Sequence, residues 1–289
     1  MKEKFPLVSV VVPCYNCEKT VLETLNTIEN QTYLNKEIIL VDDGSSDNTK
    51  RILENYVTTA DQYFLFHQSN RGQASARNVG LSHAKGEYVV FVDSDDKMHP
   101  DFLKEFIQVF QDDSKVNMVY SEMQTFDREN KLYNLREFKL SEFLISNCIP
   151  IFCMVRTKHI QSIGGFDENM DNNEDWECWI RLYRKYSGKV IKINKVLYYY
   201  RKRLEENSIS DLSVKQKKVE ASFQYVYNKH YTFYLENGLG IWDLFHAYTE
   251  RGSFLSKYYS TWYKRLFYKL FNKKKYNAIA TSVPFCDLK

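Results

Sequence analysis

The segment EYVVFVDSDDK, Glu87 to Lys97, runs five apolar residues, Tyr88 to Val92, straight into three carboxylates, Asp93, Asp95 and Asp96. Like charges at the end of a buried strand are costly unless something positive answers them. Two carboxylates one residue apart can ligate a hard divalent cation, magnesium or manganese, whose remaining positions go to water and phosphate oxygens. A solvated turn that caps a helix explains an isolated D-x-D better, but acids that abut a buried strand beside three other polar strand ends favour the metal site. Asp42 ends another apolar run, EIILV. A carboxylate there can accept hydrogen bonds from ligand N–H groups such as the imide of a uracil ring. Tyr15 offers either a stacking face for that ring or a core-packing side chain. Arg71 and Arg77, in NRGQASARN, stand about the start of a helix, and arginine and a helix N-terminus both attract phosphate. Two surface arginines would read the same way. A later polar cluster, NNEDWECW, places Glu174 and Asp175 at the head of a helix over Trp176 to Tyr186, where acids are favoured in any case.

These residues need elements to bring them together. VSVVV, EIILV, YFLFH and YVVFV are short, β-branched and aromatic, each of buried-strand length. Helical stretches lie between and after them, over Glu18 to Asn30, Thr49 to Tyr56, Ala74 to His83 and Pro100 to Phe110. Asp47 and Asn48 supply capping chemistry, and Pro100 opens the last stretch. The alternation predicts an α/β fold, a mostly parallel Rossmann-like sheet with helices on both faces. Such sheets bind ligands at the C-terminal ends of their strands. PCYN, DDGSSD, NRG and DSDD all fall at such ends.

At 289 residues, 44% hydrophobic and 27% charged, the chain has room for one large α/β domain with an appendage, or for two small domains. Its net charge of +3 is too weak to argue for nucleic acid, and no recognition motif accompanies the basic residues. Six scattered cysteines lack the density of a disulfide framework and fit reduced thiols. The apolar run before Pro13 is too short for a signal peptide, and nowhere do roughly 18 apolar residues run together. These features predict a cytoplasmic protein, at most peripheral at the inner face of the cytoplasmic membrane.

SVVVPCYN, VDDGSSDNT, NRGQASARNVGLSHAKGEYVVFVDSDD and GGFDENMDNNEDWECWIRL occur in that order over roughly residues 7 to 205. Together they resemble the successive motifs of the family-2 glycosyltransferases of GT-A fold. The resemblance implies an inverting transferase that moves a sugar from a nucleotide diphosphate, UDP above all, to a hydroxyl of a glycan or lipid-linked glycan. The setting it implies is the biosynthesis of surface polysaccharide, such as capsule or lipopolysaccharide. It puts Pro13, Tyr15 and Asp42 at the nucleotide base, and Arg71, Arg77, Asp93 and Ser94 along the donor. Asp95 becomes the ligand of Mn2+ or Mg2+, Asp175 the catalytic base, and Glu174 the residue that orients the acceptor. One departure stands out: many members carry Y-R-x-H where YYYRKRLEENSIS has Arg203, a cation that cannot ligate a metal as neutral imidazole does. Arg203 then either contacts the diphosphate or serves a loop used differently.

The implied organisation is a catalytic domain over residues 1–210, with a nucleotide-sugar half to about 120 and an acceptor half beyond, followed by a helical region over 211–289. Between Phe254 and Phe271 apolar pairs recur at helical spacing, with Lys257, Lys264, Arg265 and Lys269 between them. This amphipathic, basic pattern suits an anionic membrane surface, or packing on the catalytic domain or a partner subunit. Two other functions compete with transfer. A non-catalytic nucleotide-sugar or membrane-binding subunit could keep the fold, but Asp95 and Asp175 are intact. Phosphatases with a strand-end D-x-D usually carry it on their first strand, and here it follows the fourth.

Overall fold

The structure, a computed structural model, describes residues 5–59, 61–204 and 218–246. The amphipathic pattern between Phe254 and Phe271 lies outside the described residues. The described residues fall into two compact units, one of those up to 139 and from 146 to 226, the other of 140–145 and 227–246.

The first unit is built on one sheet. Its opening strands are β1 (Val8–Cys14), β2 (Lys36–Asp42), β3 (Tyr63–His67) and β4 (Tyr88–Phe91). They pair in parallel in the order β3-β2-β1-β4. Every residue of β2 is buried and β1 is buried at all but Pro13, as expected of parallel strands covered on both faces. Helices α1 (Val21–Glu29), α2 (Thr49–Val57) and α3 (Gln73–His83) make the crossovers. α1 turns Val21, Thr24, Leu25 and Ile28 inward at three- and four-residue spacing, one stripe of an amphipathic helix.

Beyond β4 the sheet becomes mixed. β5 (Lys97–Met98) leads to α4 (Phe102–Asp112), β6 (Val116–Asp127) and the short β7 (Leu132–Tyr133), which pairs with β6. β8 (Met154–Arg156) lies antiparallel to both β4 and β6. α6 (Thr157–Ser162) and α7 (Glu174–Tyr186) follow, then β9 (Lys189–Lys202), which runs parallel to β6 and antiparallel to β5. Phe102 and Phe152 pack around Tyr198 of β9, at ring-centroid distances of 6.2 and 3.9 Å, and so join this half to the core.

The second unit holds α5 (Leu140–Phe143), the end of α8 (Lys218–Lys229) and α9 (Tyr231–Glu236), with a helical turn over 241–246. Inside it the Tyr227 and Tyr234 rings meet edge-on at 4.7 Å. Among the described residues no helix is long and apolar enough to cross a membrane.

Candidate functional site

β1 hands on to β2 on one side and has β4 on the other, so the strand order reverses between β1 and β4, where a doubly wound sheet opens a crevice at its carboxyl ends. The loops after these strands carry the residues singled out by sequence. Pro13 is part-buried at the end of β1, and the next odd residue, Tyr15, stands 47% exposed. Asn16 takes a left-handed conformation, φ 46°, and its side chain accepts the Ser46 N–H at 2.8 Å, tying the first loop to the second.

Asp42 is 3% exposed. Its Oδ1 accepts the Ser45 N–H at 3.2 Å, and Oδ2 lies 3.2 Å from His67 Nδ1 on β3. Its neighbour Asp43, which sequence reasoning left without a role, organises the third loop. Asp43 Oδ1 accepts from Gln68 Nε2 at 2.7 Å and from the Arg71 N–H at 2.8 Å, and Oδ2 accepts from the Gly72 N–H at 2.9 Å. Gly44 makes that approach possible: at φ +70° it sits where a Cβ would come within 2.7 Å of the Asn70 backbone nitrogen.

Arg71 and Arg77 part company. Arg71 is exposed and pairs with Glu168 at 2.7 Å. Arg77 is 2% exposed, one of the largest fully buried side chains, and links two regions far apart in sequence. Its Nη2 donates to Asp93 Oδ1 at 2.8 Å and its Nη1 to Glu174 Oε1 at 2.5 Å. Burial opposes its charge, but the carboxylates of Asp93 and Glu174 prevail and hold its pKa above the usual arginine value. Gln73, one helical turn earlier, donates to Glu174 Oε1 at 2.8 Å. Its place four residues before Arg77 puts both on one face of α3, a signal that sequence spacing carried.

The D-x-D turn is suspended from β9. Asp96 closes the turn through its N–H to Asp93 O at 3.1 Å. Its carboxylate, however, is buried and accepts from Tyr198 Oη at 2.9 Å and the Arg201 N–H at 2.7 Å. Burial, with the charges of Asp95 and Asp93, pushes this carboxyl well above the ordinary aspartate range. Arg201 completes the suspension: Nε donates to Asp95 O at 2.6 Å, Nη1 to Asp127 at 2.5 Å, and Nη2 meets Glu23 of α1. On the other side Thr20 Oγ1 donates to Ser94 O at 3.1 Å.

Asp95 itself faces Arg203, whose Nε and Nη2 both converge on Oδ2, at 2.8 and 2.6 Å. Burial raises the Asp95 pKa, Arg203 draws it down, and Asp93 pushes it up again, with a net rise. Among the described residues no group of three His, Cys, Asp or Glu is arranged to hold a metal ion by itself. Asp93 and Asp95 each direct only one carboxylate oxygen to a guanidinium. That donor set fits a magnesium or manganese ion held by one or two carboxylates and completed by ligand phosphates.

Asp175 follows Glu174 into the first turn of α7. Its Oδ1 accepts its own helix's Trp176 N–H at 2.7 Å, and Oδ2 accepts from Asn147 Nδ2 at 3.2 Å. Burial, then the charge of Glu174, pushes the carboxyl up to about 7 against the opposing Trp176 N–H and Arg77. A carboxylate so placed exchanges a proton near neutrality, the range wanted of a general base. Asn147 comes from irregular chain with no periodicity to mark it, and sequence reasoning passed it over.

The chain matches known proteins over this same region. A family model, Glycosyl transferase family 2, matches residues 9–164, more than half of the chain. The glycosyltransferase GlyG of Streptococcus pneumoniae is 30% identical over 220 residues, covering 68% of this chain and 71% of that protein. The chondroitin synthase of Escherichia coli is 29% identical over 218 residues, 74% of this chain. The chain spans only 32% of that synthase's length. Among solved structures, residues 1–349 of S. aureus TarS in complex with UDP-GlcNAc share 27% identity and a TM-score of 0.57, covering 68% of this chain and 58% of that one. The curled sheet flanked by helices is thus the GT-A architecture of that enzyme.

Proposed function

The chain belongs to glycosyl transferase family 2, and on that premise we propose that it moves a sugar, with inversion, from a UDP-linked donor to a hydroxyl of a glycan or lipid-linked glycan. The products fit surface polysaccharide assembly, and the catalytic domain corresponds to the N-terminal 210 residues. The observation that carries this reading is the single guanidinium, Arg77, that ties a donor-side carboxylate, Asp93, to the acid pair at the head of α7.

Each part then has a chemical task. Tyr15 and Asp42, with Pro13, receive the base; the Asp42 carboxylate sits at the strand end with hydrogen-bond partners that can be exchanged for a ligand N–H. Arg71 and Ser94 line the donor, the buried Arg77 holds Asp93 towards it, and Arg203 faces its diphosphate. Asp175 takes the proton from the acceptor hydroxyl as that oxygen bonds to the anomeric carbon and the bond from carbon to the diphosphate oxygen breaks. Asn147 holds Oδ2 of Asp175, and Glu174, fixed by Gln73 and Arg77, borders the acceptor. A divalent cation bound at Asp95, beside Asp93, would offset the negative charge of the departing diphosphate.

The test is a screen of nucleotide sugars for metal-dependent hydrolysis, followed by Asp175→Asn on the donor that responds. Release of UDP from one sugar by the wild type, lost in the variant while UDP affinity holds within about threefold, supports the assignment. Unimpaired turnover by Asp175→Asn would remove the carboxylate from the chemistry.

A further inference from the structure

Arg203 occupies an unusual position for a donor-site arginine. It directs two nitrogens to one oxygen of Asp95, the carboxylate best placed to take a cation. A divalent ion on the remaining oxygen would share one carboxylate with the guanidinium, a like charge that repels it and already cancels the negative charge that would draw it in. The backbone of Arg203 is held, since its carbonyl accepts from Arg128 Nη1 at 3.1 Å and the Lys202 carbonyl accepts the Arg128 N–H at 3.0 Å. Two residues earlier on the same side of the strand, Arg201 is locked into Asp95 O, Asp96 and Asp127. The Arg203 side chain, by contrast, is 37% exposed and has Asp95 as its acid partner. It can leave without disturbing the strand.

We infer that Arg203 and a divalent cation compete for Asp95, and that the donor diphosphate resolves the competition by giving the guanidinium another anionic partner. This rests on the diphosphate-donor reading above. Its consequence is that cation and nucleotide bind as a coupled pair: the cation alone meets a site already neutralised, whereas with the diphosphate present both positive groups have anions to face. Coupling of this kind is reciprocal, so it is measurable from either ligand.

The experiment uses the full chain with Mn2+ and UDP as probes. Mn2+ affinity without nucleotide is read from the electron paramagnetic resonance signal of the free ion, and UDP affinity by calorimetry in EDTA and in saturating Mn2+. Arg203→Ala is expected to bind Mn2+ alone at least tenfold more tightly than the wild type. The factor by which Mn2+ strengthens UDP binding should be about tenfold larger in the wild type than in the variant. Arg203→Lys, which keeps a charge but not two converging nitrogens, should fall between, and it carries the test if the alanine variant does not fold. Equal Mn2+ affinities without nucleotide, or equal coupling factors, overturn the competition while leaving the UDP reading intact. Absence of UDP binding to the wild type under every condition instead overturns that reading, and this inference with it.

Discussion

Asp175 makes the pH profile the sharpest probe of the site. With its carboxyl pushed up to about 7 by burial and by Glu174, it is about 1% ionised at pH 5 and about 90% at pH 8. If the ionised form is the base, kcat/KM for sugar transfer or donor hydrolysis should rise roughly 90-fold between those pH values and then level off. Asn147 sets the scale of a second experiment. Its N–H, 3.2 Å from Oδ2, favours the ionised form. A net hydrogen bond of about 1 kcal/mol corresponds to roughly 0.7 of a pKa unit. Asn147→Ala should therefore move the midpoint to about 7.7 and lower the rate about fourfold at pH 6.5, with the plateau at pH 9 unchanged. Glu174→Gln removes the like charge and should move the midpoint down. Stability must respond with the opposite slope. The folded state holds a proton that the unfolded chain releases above about pH 4, so this group's contribution is full below that pH and is lost as pH rises towards 7. Asp175→Asn should flatten that loss, and urea denaturation at pH 5 and pH 8 measures it. A flat rate profile from pH 5 to 8, or a midpoint unmoved by either neighbour, would refute Asp175 as the titrating base.

Three further changes test the scaffold of the site. Arg77→Met leaves Glu174 buried with its Gln73 bond alone and should cost about 3–5 kcal/mol in urea denaturation. Adding Glu174→Gln to it should return part of that loss, because the two residues act as a unit. Asp96→Asn keeps an acceptor for the Arg201 N–H and a partner for Tyr198 Oη while removing a charge held against burial, so its melting temperature should match or exceed that of the wild type. Asp96→Ala strands both donors and should lose about 2–4 kcal/mol. Asp43→Ala removes the acceptor for three donors in the loop after β3, and it should weaken UDP binding more than tenfold while leaving far-ultraviolet circular dichroism unchanged.

The N-terminal half was legible because each strand is short, apolar and closed by polar turn residues. YFLFH coincides with β3, and the helix expected over Ala74 to His83 begins one residue earlier, at Gln73. Legibility failed where the period was lost. β2 is buried throughout, so no alternation distinguishes Asp42 from Asp43, and it was contact with the third loop that gave Asp43 its task. β6 and β9 are long, only partly buried and bulged, and their mixed composition reads as irregular chain. Arg201 showed only as a basic residue in YYYRKR, because its partners Glu23 and Asp127 lie 178 and 74 residues away in sequence. The Asp95–Arg203 pair was hidden for the same reason, being 108 residues apart.

The pairing of β5 with β9 sets Lys97 opposite Tyr199 and Met98 opposite Tyr198. About a hundred residues therefore run out from this seam, through β6, β7, β8 and most of β9 of the same sheet, and return to the same place. In engineering terms, 99–197 is a natural exchange cassette whose two cut sites are already stitched together by the host. A donor segment from another transferase would enter at a fixed seam, with the D-x-D turn upstream and Arg201 and Arg203 downstream both supplied by the recipient. The graft would have to bring its own equivalents of Phe102 and Phe152, since the recipient's Tyr198 is the surface on which they close.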